Sequence, residues 1–416
     1  MIKNFLISCI SLFSIGVYAQ NATVSPYSFF GIGDNRNNGS VENQMMGGLQ
    51  IYGDSIHVNL NNPAAYSKLK LTVYTGAIGN TTFRLKSANE EQNTSVTNLD
   101  YLAIGIPIAK NTGLGFGIAP LTSVGYNLTD IQGETTTLFS GEGGINRAYL
   151  SLGVEVVKNL SIGATVNYNF GTLEYNRLQS TENVQFGTID TRESRIDGFD
   201  FNYGVDYRQK IGKKHTLFAH LGIDTQINLT ANNTQEVGSF STTNGENIET
   251  IEPDLDAQGI RNTELKVPTN TTFGLGFGKE KKWFLGAEYS TQQLSSFENT
   301  FLGIENIEYQ DASSIAFGGF FIPNYSSFSG YLKRITYRAG LRYDQTGMVI
   351  SGKEINNFGI TFGFGLPLGK SFSNLNLGFE LGRRGTTDAG LIEESYLNVN
   401  VGISLNDKWF IKRKIN

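Results

Sequence analysis

From about Leu71 to Leu405 the chain repeats one device. Stretches of about ten residues alternate apolar side chains with small or polar ones, and turn or loop residues separate them. Successive residues of a strand point to opposite faces, so each stretch makes a strand with one greasy and one wet side. In the segment 199–208, Phe199, Phe201, Tyr203, Val205 and Tyr207 alternate with Asp200, Asn202, Gly204, Asp206 and Arg208. Leu397, Val399, Val401, Ile403 and Leu405 follow the same rule, as do Phe358, Ile360, Phe362, Phe364 and Leu366. Past the first twenty or so residues no apolar run reaches about 18 residues, the length a membrane helix needs. A chain of this kind that spans a membrane must therefore do so as a closed barrel, the one strand architecture that leaves no backbone group unpaired in lipid.

Composition narrows the class further. The 49 Gly, 28 Phe and 19 Tyr, with only 17% charged residues, exclude a disordered chain, and 8 Pro among those glycines exclude collagen-like and Pro-rich linker classes. A net charge of −5 gives no basic excess for a nucleic-acid partner. The N-terminus reads as a secretory signal: Lys3, the apolar run 5–17, then Val17-Tyr18-Ala19 before Gln20. The single Cys, Cys9, falls within that signal, so the mature chain is expected to hold no disulfide, thiolate nucleophile or Cys metal site. No cofactor is expected.

The alternation predicts an all-β fold, a transmembrane antiparallel barrel of fourteen strands, or twelve if one pair merges. A soluble β-sandwich also alternates. Long apolar faces with aromatics near their ends (Trp283 and Tyr289, Tyr337 and Tyr343) favour the barrel, whose interfaces carry aromatic girdles. The connections are expected to alternate in length. Short ones bear Lys110, Lys158, Lys213 or Lys281 and face the periplasm. Long polar ones face outside, the longest being 230–261. The expected organisation is a signal peptide over 1–19, an N-terminal hatch or plug over 20–69, the barrel over 70–405 and a periplasmic tail over 406–416.

The segment 20–69 does not alternate, yet it is too apolar to remain in water, and a barrel of this size has a lumen wider than its own side chains fill. It is expected to fold into that lumen, with a short helix near 40–49. Phe29, Phe30, Ile32, Met45, Met46 and Leu49 are the candidate ligand-binding residues: in a wet lumen they either pack on one another or receive a hydrophobic ligand. Asn62-Pro63-Ala64 is the candidate hatch motif, with Asn capping backbone groups and Pro fixing one dihedral. Pro120 interrupts a strand and removes a ladder donor, which marks either a lateral opening or an ordinary strand end. Arg147, Glu155, Asp200, Asp206, Arg208, His220, Asp224, Glu288, Arg338, Arg342 and Glu380 fall on the inward face. Their mixed signs point to a paired network that packs the lumen and anchors the plug more than to an ion-selective pore. Neither His220 with Asp224 nor the acidic stretch 252–259 has the ligand spacing of a metal site.

A signal peptide, an N-terminal segment with Asn62-Pro63-Ala64 and about fourteen strands together resemble the long-chain fatty acid transporter (FadL-type) family. The hairpin from Val267-Pro268 through Phe273-Gly274-Leu275-Gly276 to Trp283-Phe284-Leu285-Gly286 is similar to one of that family. Ser25-Pro26-Tyr27-Ser28 with Gly31-Ile32-Gly33-Asp34 is similar to the mature starts of such barrels in Bacteroidota. The resemblance implies a hatch-plugged barrel in the bacterial outer membrane. It would contact membrane lipid and pass small hydrophobic, fatty-acid-like molecules through a gap in its wall. No carboxylate-binding Arg matches the family residue by residue. The other function class is a non-transporting accessory barrel within an outer-membrane protein assembly or secretion complex.

Overall fold

The computed structural model describes residues 23–36, 39–297, 299, 301–302, 307–327, 329–369 and 372–409. The expected signal peptide, the first hatch residues 20–22 and the end of the expected tail, 410–416, lie outside the described residues.

A two-residue strand, β1 (Asp34–Asn35), precedes the main series. The series runs β2 (Thr72–Lys86), β3 (Glu91–Ala109), β4 (Thr112–Gln132), β5 (Thr135–Val157), β6 (Leu160–Thr181), β7 (Phe186–Ile211), β8 (His215–Asp224), β9 (Ile227–Ser241), β10 (Asn247–Ile251), β11 (Asn262–Val267) and β12 (Asn270–Lys279). It continues with β13 (Trp283–Gln292), β14 (Ile307–Tyr309), β15 (Ala312–Phe321), β16 (Thr336–Ile350), β17 (Lys353–Pro367), β18 (Asn374–Arg384) and β19 (Glu393–Asp407). β8 and β9 both lie along β7 and serve as one wall strand; β11 and β12 form the next, interrupted at Pro268. β10 and β14 are outer additions, and the wall is a closed antiparallel barrel of fourteen strands. It closes where β19 pairs with β2, from Glu393↔Lys86 to Asp407↔Thr72.

The facing follows the alternation. Phe199, Phe201 and Tyr203 are 59%, 43% and 47% exposed on the outer surface, while Asp200 and Asp206 between them are 2% and 1% exposed inside. Val401, Ile403, Leu381, Leu341 and Phe317 continue the exposed apolar belt around the wall. Lipid covers such a belt in an outer-membrane barrel.

Connection length departs from expectation. The hairpins at 133–134 and 351–352, on the end assigned to the exterior, are two-residue turns with positive φ at Gly133 and at Ser351 and Gly352. The long polar connection expected over 230–261 is largely strand, through β9 and β10. The longest connection on the Lys-bearing end is 322–335. The asymmetry resides in the strands instead: β4 to β7 have 21, 23, 22 and 26 residues, whereas β12, β13 and β15 have 10 each. About ten residues cross a bilayer, so the first group extends well beyond it as a tall sheet. Polar strand residues such as Thr188 and Gln179 pair across strands as readily as they would solvate a loop, which is why a polarity-based reading took them for loop.

The hatch is inside the barrel. The 3₁₀ turn Pro26–Phe29 lies at the outer end, where the Ser28 hydroxyl donates to Gly125 O and accepts from Gly125 N. The expected helix is a single turn, Val41–Gln44, set in mid-lumen against β17, β18 and β19. The 3₁₀ turn Pro63–Lys68 packs at the inner end on β4, β5, β6 and β7. Gly115 and Gly163 make that last contact: a Cβ there would overlap the Tyr66 ring and the Pro63–Ala64 backbone, respectively.

Candidate functional site: an outer cavity beside a split in the wall

The lumen differs along its length. At its inner end side chains pack closely on the wall. Met45 (1% exposed) lies over Gly363 and Gly378, and its Sδ accepts from Phe379 N at 3.1 Å. Met46 and Leu49 join Ile51, Phe218, Phe284 and Phe320 in a buried cluster. Asn62 caps its own turn, accepting from Ala64 N at 3.0 Å, and donates to Asp206 at 3.0 Å and to Gln50 O. Pro63 stands at the first position of that turn, where its missing N–H costs nothing.

Most of the inward charges are paired with one another or with the hatch, while Arg338 and Asp224 bond to wall asparagines. Arg147 meets Asp200 at 2.8 Å, and Arg342 meets Glu380 at 2.7 Å and Asp344 at 2.9 Å. His220 Nδ1 lies 2.8 Å from Asp206, and Arg208 donates to Gly53 O at 2.7 Å. Glu288 accepts from Gln50 N and Ile51 N. This is the anchoring network that the mixed signs implied. Among the described residues no group of His, Cys, Asp and Glu is placed to hold a metal ion.

At the outer end the hatch leaves a cavity of about 500 Å³. Tyr27, Phe30, Ile32, Leu121 and Phe297 give it apolar surface, and the paired Arg147, Arg342 and Arg384 give it polar walls. Of the six residues singled out for a ligand, Phe30 and Ile32 line this space. Phe29 stands behind them, edge-on to Phe30, Tyr126 and Phe139 at 5.0, 5.2 and 6.0 Å. Met45, Met46 and Leu49 lie apart, in the packed inner region.

Beside the cavity the wall is split. β3 and β4 pair only from Ala109↔Thr112 up to Leu102↔Ile118. Beyond that point, among the described residues, β3 continues along β2 and β4 along β5, but not along each other. Pro120, two residues past the last pair, sits beside a register shift between Pro120 and Thr122 in the β4–β5 ladder. β1 fills the freed edge of β4, with Asp34↔Ser123 and Asn35↔Thr122 paired and Arg36 N donating to Leu121 O at 2.9 Å. Gly33, at φ +97, permits this approach; a Cβ there would meet the Ser123 carbonyl.

Arg384 latches this part of the hatch. It contacts Asp34 at 2.6 Å, Glu394 at 2.8 Å and the Ser25 hydroxyl at 2.5 Å, and lies over the Tyr27 ring. Sequence reasoning missed Arg384 and Glu394 because they fall next to a connection. The pairing of β18 with β19 sets them opposite each other, and extending the alternation by two residues finds them.

This geometry, a closed barrel with an N-terminal hatch, is the fold of FadL-type outer-membrane proteins, as the sequence resemblance implied. The toluene transporter TbuX of Ralstonia pickettii superposes with a TM-score of 0.58 at 13% identity, over 88% of this chain and 97% of that one. A deletion mutant of the monoaromatic hydrocarbon channel TodX gives 0.60 at 15% identity, over 88% and 98%. A FadL homologue of Pseudomonas aeruginosa gives 0.55 at 12%, over 87% and 95%. At such identities the likeness is one of fold, and that fold places the chain in the bacterial outer membrane. Within that class the chain belongs to the BamG family, whose model matches residues 1–416. No curated protein matches the sequence.

Proposed function

We propose that the protein passes small hydrophobic, fatty-acid-like molecules from the outer cavity through the β3–β4 split into the membrane. The interrupted β3–β4 ladder carries this reading. A complete ladder leaves no route through a barrel wall, and the interruption here lies beside the outer cavity, which has both apolar and polar walls. The solved proteins described as toluene transporters and hydrocarbon channels support it through shared fold. Phe30 and Ile32 receive the apolar body of the ligand, and Pro120 keeps β4 from zipping onto β3. Met45, Met46 and Leu49 hold the hatch floor beneath.

The test is uptake of a fluorescent hydrophobic probe by cells that lack other such carriers. Phe30→Asp with Ile32→Asp is expected to reduce uptake about tenfold, since an apolar ligand then faces two carboxylates at its docking surface. Uptake equal to that of the parent protein, with the barrel folded, overturns the reading.

A second reading, an accessory barrel in an outer-membrane assembly or secretion complex, is favoured by the close packing of the inner lumen. It is also favoured by the BamG membership, which rests on the whole sequence, whereas the likeness to the hydrocarbon channels rests on fold.

A further inference from the structure

The first wall hairpin carries a bulge. β2 and β3 pair residue for residue from Lys86↔Glu91 to Ile78↔Leu99, and Ala77 then pairs with Tyr101, so Asp100 is the extra residue. A bulge re-aims the side chains around it. Leu99 and Ile78 stay outside, 47% and 54% exposed, while Tyr101 is turned inward to 1%. Its hydroxyl accepts from Val41 N of the hatch at 3.2 Å. The Asp100 carboxylate comes to lie over Gly79: a Cβ on that glycine would be 2.9 Å from each of its two oxygens. Asn400, the partner of Gly79 on β19, brings its Oδ1 to 2.5 Å from the same point.

All three atoms are acceptors, and the Asn400 amide is not free to turn. Gly39 O only accepts, so Gln44 presents its Nε2 there, at 3.0 Å. The Gln44 Oε1 is then left to accept from Asn400 Nδ2, at 2.6 Å. Asn400 must therefore aim Oδ1 at Asp100. Flipping either amide, or both, would set two acceptors against each other.

Asn400 is 1% exposed, yet its Oδ1 accepts no hydrogen bond from the described residues, and neither does Asp100 Oδ2. The other inward carboxylates differ. Asp200 and Glu380 take arginine N–H groups, Asp206 takes the Asn62 amide, and Glu288 takes two hatch N–H groups. Arg36 acts on Asp100 from a distance, without an ion pair among the described residues. A water between the two groups would donate to both oxygens but leave the carboxylate charge without a partner; a cation answers both needs.

We propose that Asp100 and Asn400 bind a calcium ion in front of Gly79, tying β3 to β19 and, through Gln44, to the hatch. The two Asp100 oxygens reach equally toward one point, a bidentate approach that calcium accepts and the strict octahedron of magnesium does not. An oxygen-only set with one carboxylate makes a weak site, in the millimolar range of extracellular calcium modules, with water completing the shell. One carboxylate and one amide oxygen lie outside the His, Cys and acid groupings considered above. β3 parts from β4 beyond Leu102, two residues on, so the ion braces the strand where its neighbour leaves it. The inference goes beyond the transport reading and stands independently of it.

The test uses the full chain, purified in detergent and stripped with a chelator. Calcium at about 10 mM should raise the unfolding midpoint, read from heat-sensitive electrophoretic mobility, by about 4 °C, and magnesium at the same level should not. Asp100→Asn should lose the shift yet melt no lower than the calcium-free parent, because its new amide donates to Asn400 Oδ1. Gly79→Ala keeps every ligand oxygen but fills the space between them, and should lose the shift as well; it carries the test alone if Asp100→Asn does not insert. Asp254→Asn, in the acidic outer stretch, should keep the shift. No calcium shift in the parent, an equal shift with magnesium, a shift that survives Asp100→Asn or Gly79→Ala, or one that is lost in Asp254→Asn overturns the proposal.

Discussion

The two ends of the lumen are built by one continuous segment and behave oppositely. At the inner end, 40–69 lies on glycine-paved wall, with Tyr66 and Pro63 pressed where no Cβ fits and Asn62 and Ser67 hydrogen-bonded to the wall. At the outer end, 23–36 is held on β4 and β5 through Ser28, Phe29 and β1 and toward β18 and β19 through Tyr27 and Arg384, and leaves a cavity beside it. Dense apolar packing is lost all at once when one element moves, whereas a few strand and ion-pair contacts are exchanged at little cost. On the proposed transport reading the inner half serves as a floor and the outer half as a door.

The strongest way to break this contrast is to remove the floor. Deleting 20–69 leaves a wall whose strands satisfy their own hydrogen bonds, so the barrel is expected to insert. In planar bilayers its conductance should exceed that of the parent by about tenfold, as a fourteen-strand lumen freed of its plug admits water. Equal conductance would mean that the packed inner hatch does not seal the lumen.

A smaller effect is expected from Gly115→Val, which drives two methyl groups into the Tyr66 ring. Overpacking of this kind costs about 1–3 kcal/mol, read as a lower denaturant midpoint. Ser290→Val, facing the open cavity, should change it by less than about 0.5 kcal/mol. Similar losses at both sites would erase the difference between floor and door.

The smallest effect is one of pH on the floor's lower turn. Burial disfavours the His57 imidazolium, but the Asp54 charge 2.7 Å away and its hydrogen bond outweigh that, with Glu42 adding to them, and hold His57 above its usual pKa. Burial likewise opposes the Asp54 carboxylate, yet His57 and the Ile56 and His57 amides lower it to about 2. His57 stabilises the turn fully below 6.5 and loses that contribution as pH rises through its raised folded value. Asp54 contributes above 3.8 and fails only as pH falls toward about 2. Amide exchange at Ile56 and His57, corrected for intrinsic rates, should be slower at pH 6 than well above it. His57→Gln should flatten the difference. Flat protection in the parent would contradict the pairing.

Much of the wall was legible in the sequence, because a period of two over many strands leaves one solution in a membrane. Alternation placed Phe199 outside and Asp200 inside correctly, and the mixed inward charges announced a paired network. The height of the sheet was not legible: Thr188 and Asn233 look like loop, and only their partners across β6, β7 and β9 make them strand. The hatch motif was readable at Asn62 and Pro63, where the capping chemistry is local. The cavity was not, since apolar residues in one short segment divide between floor and door according to wall glycines hundreds of residues away. Met45 against Gly378 and Phe30 against open space differ in surroundings and not in kind. The split at Pro120 showed in sequence as a missing donor; β1 as the strand that covers it did not.

The proposed transport requires β1, which pairs with the freed edge of β4, to move aside and uncover the β3–β4 split. A disulfide between Asn35→Cys and Thr122→Cys, opposite each other in the β1–β4 pair, fixes it in place. A second lock, Ser67→Cys with Ser161→Cys, ties the floor to the wall where the two hydroxyls are 2.8 Å apart. Uptake of the hydrophobic probe should stop in the oxidised β1 lock and return on reduction, while the floor lock leaves it unchanged. Undiminished uptake with β1 locked would contradict the account.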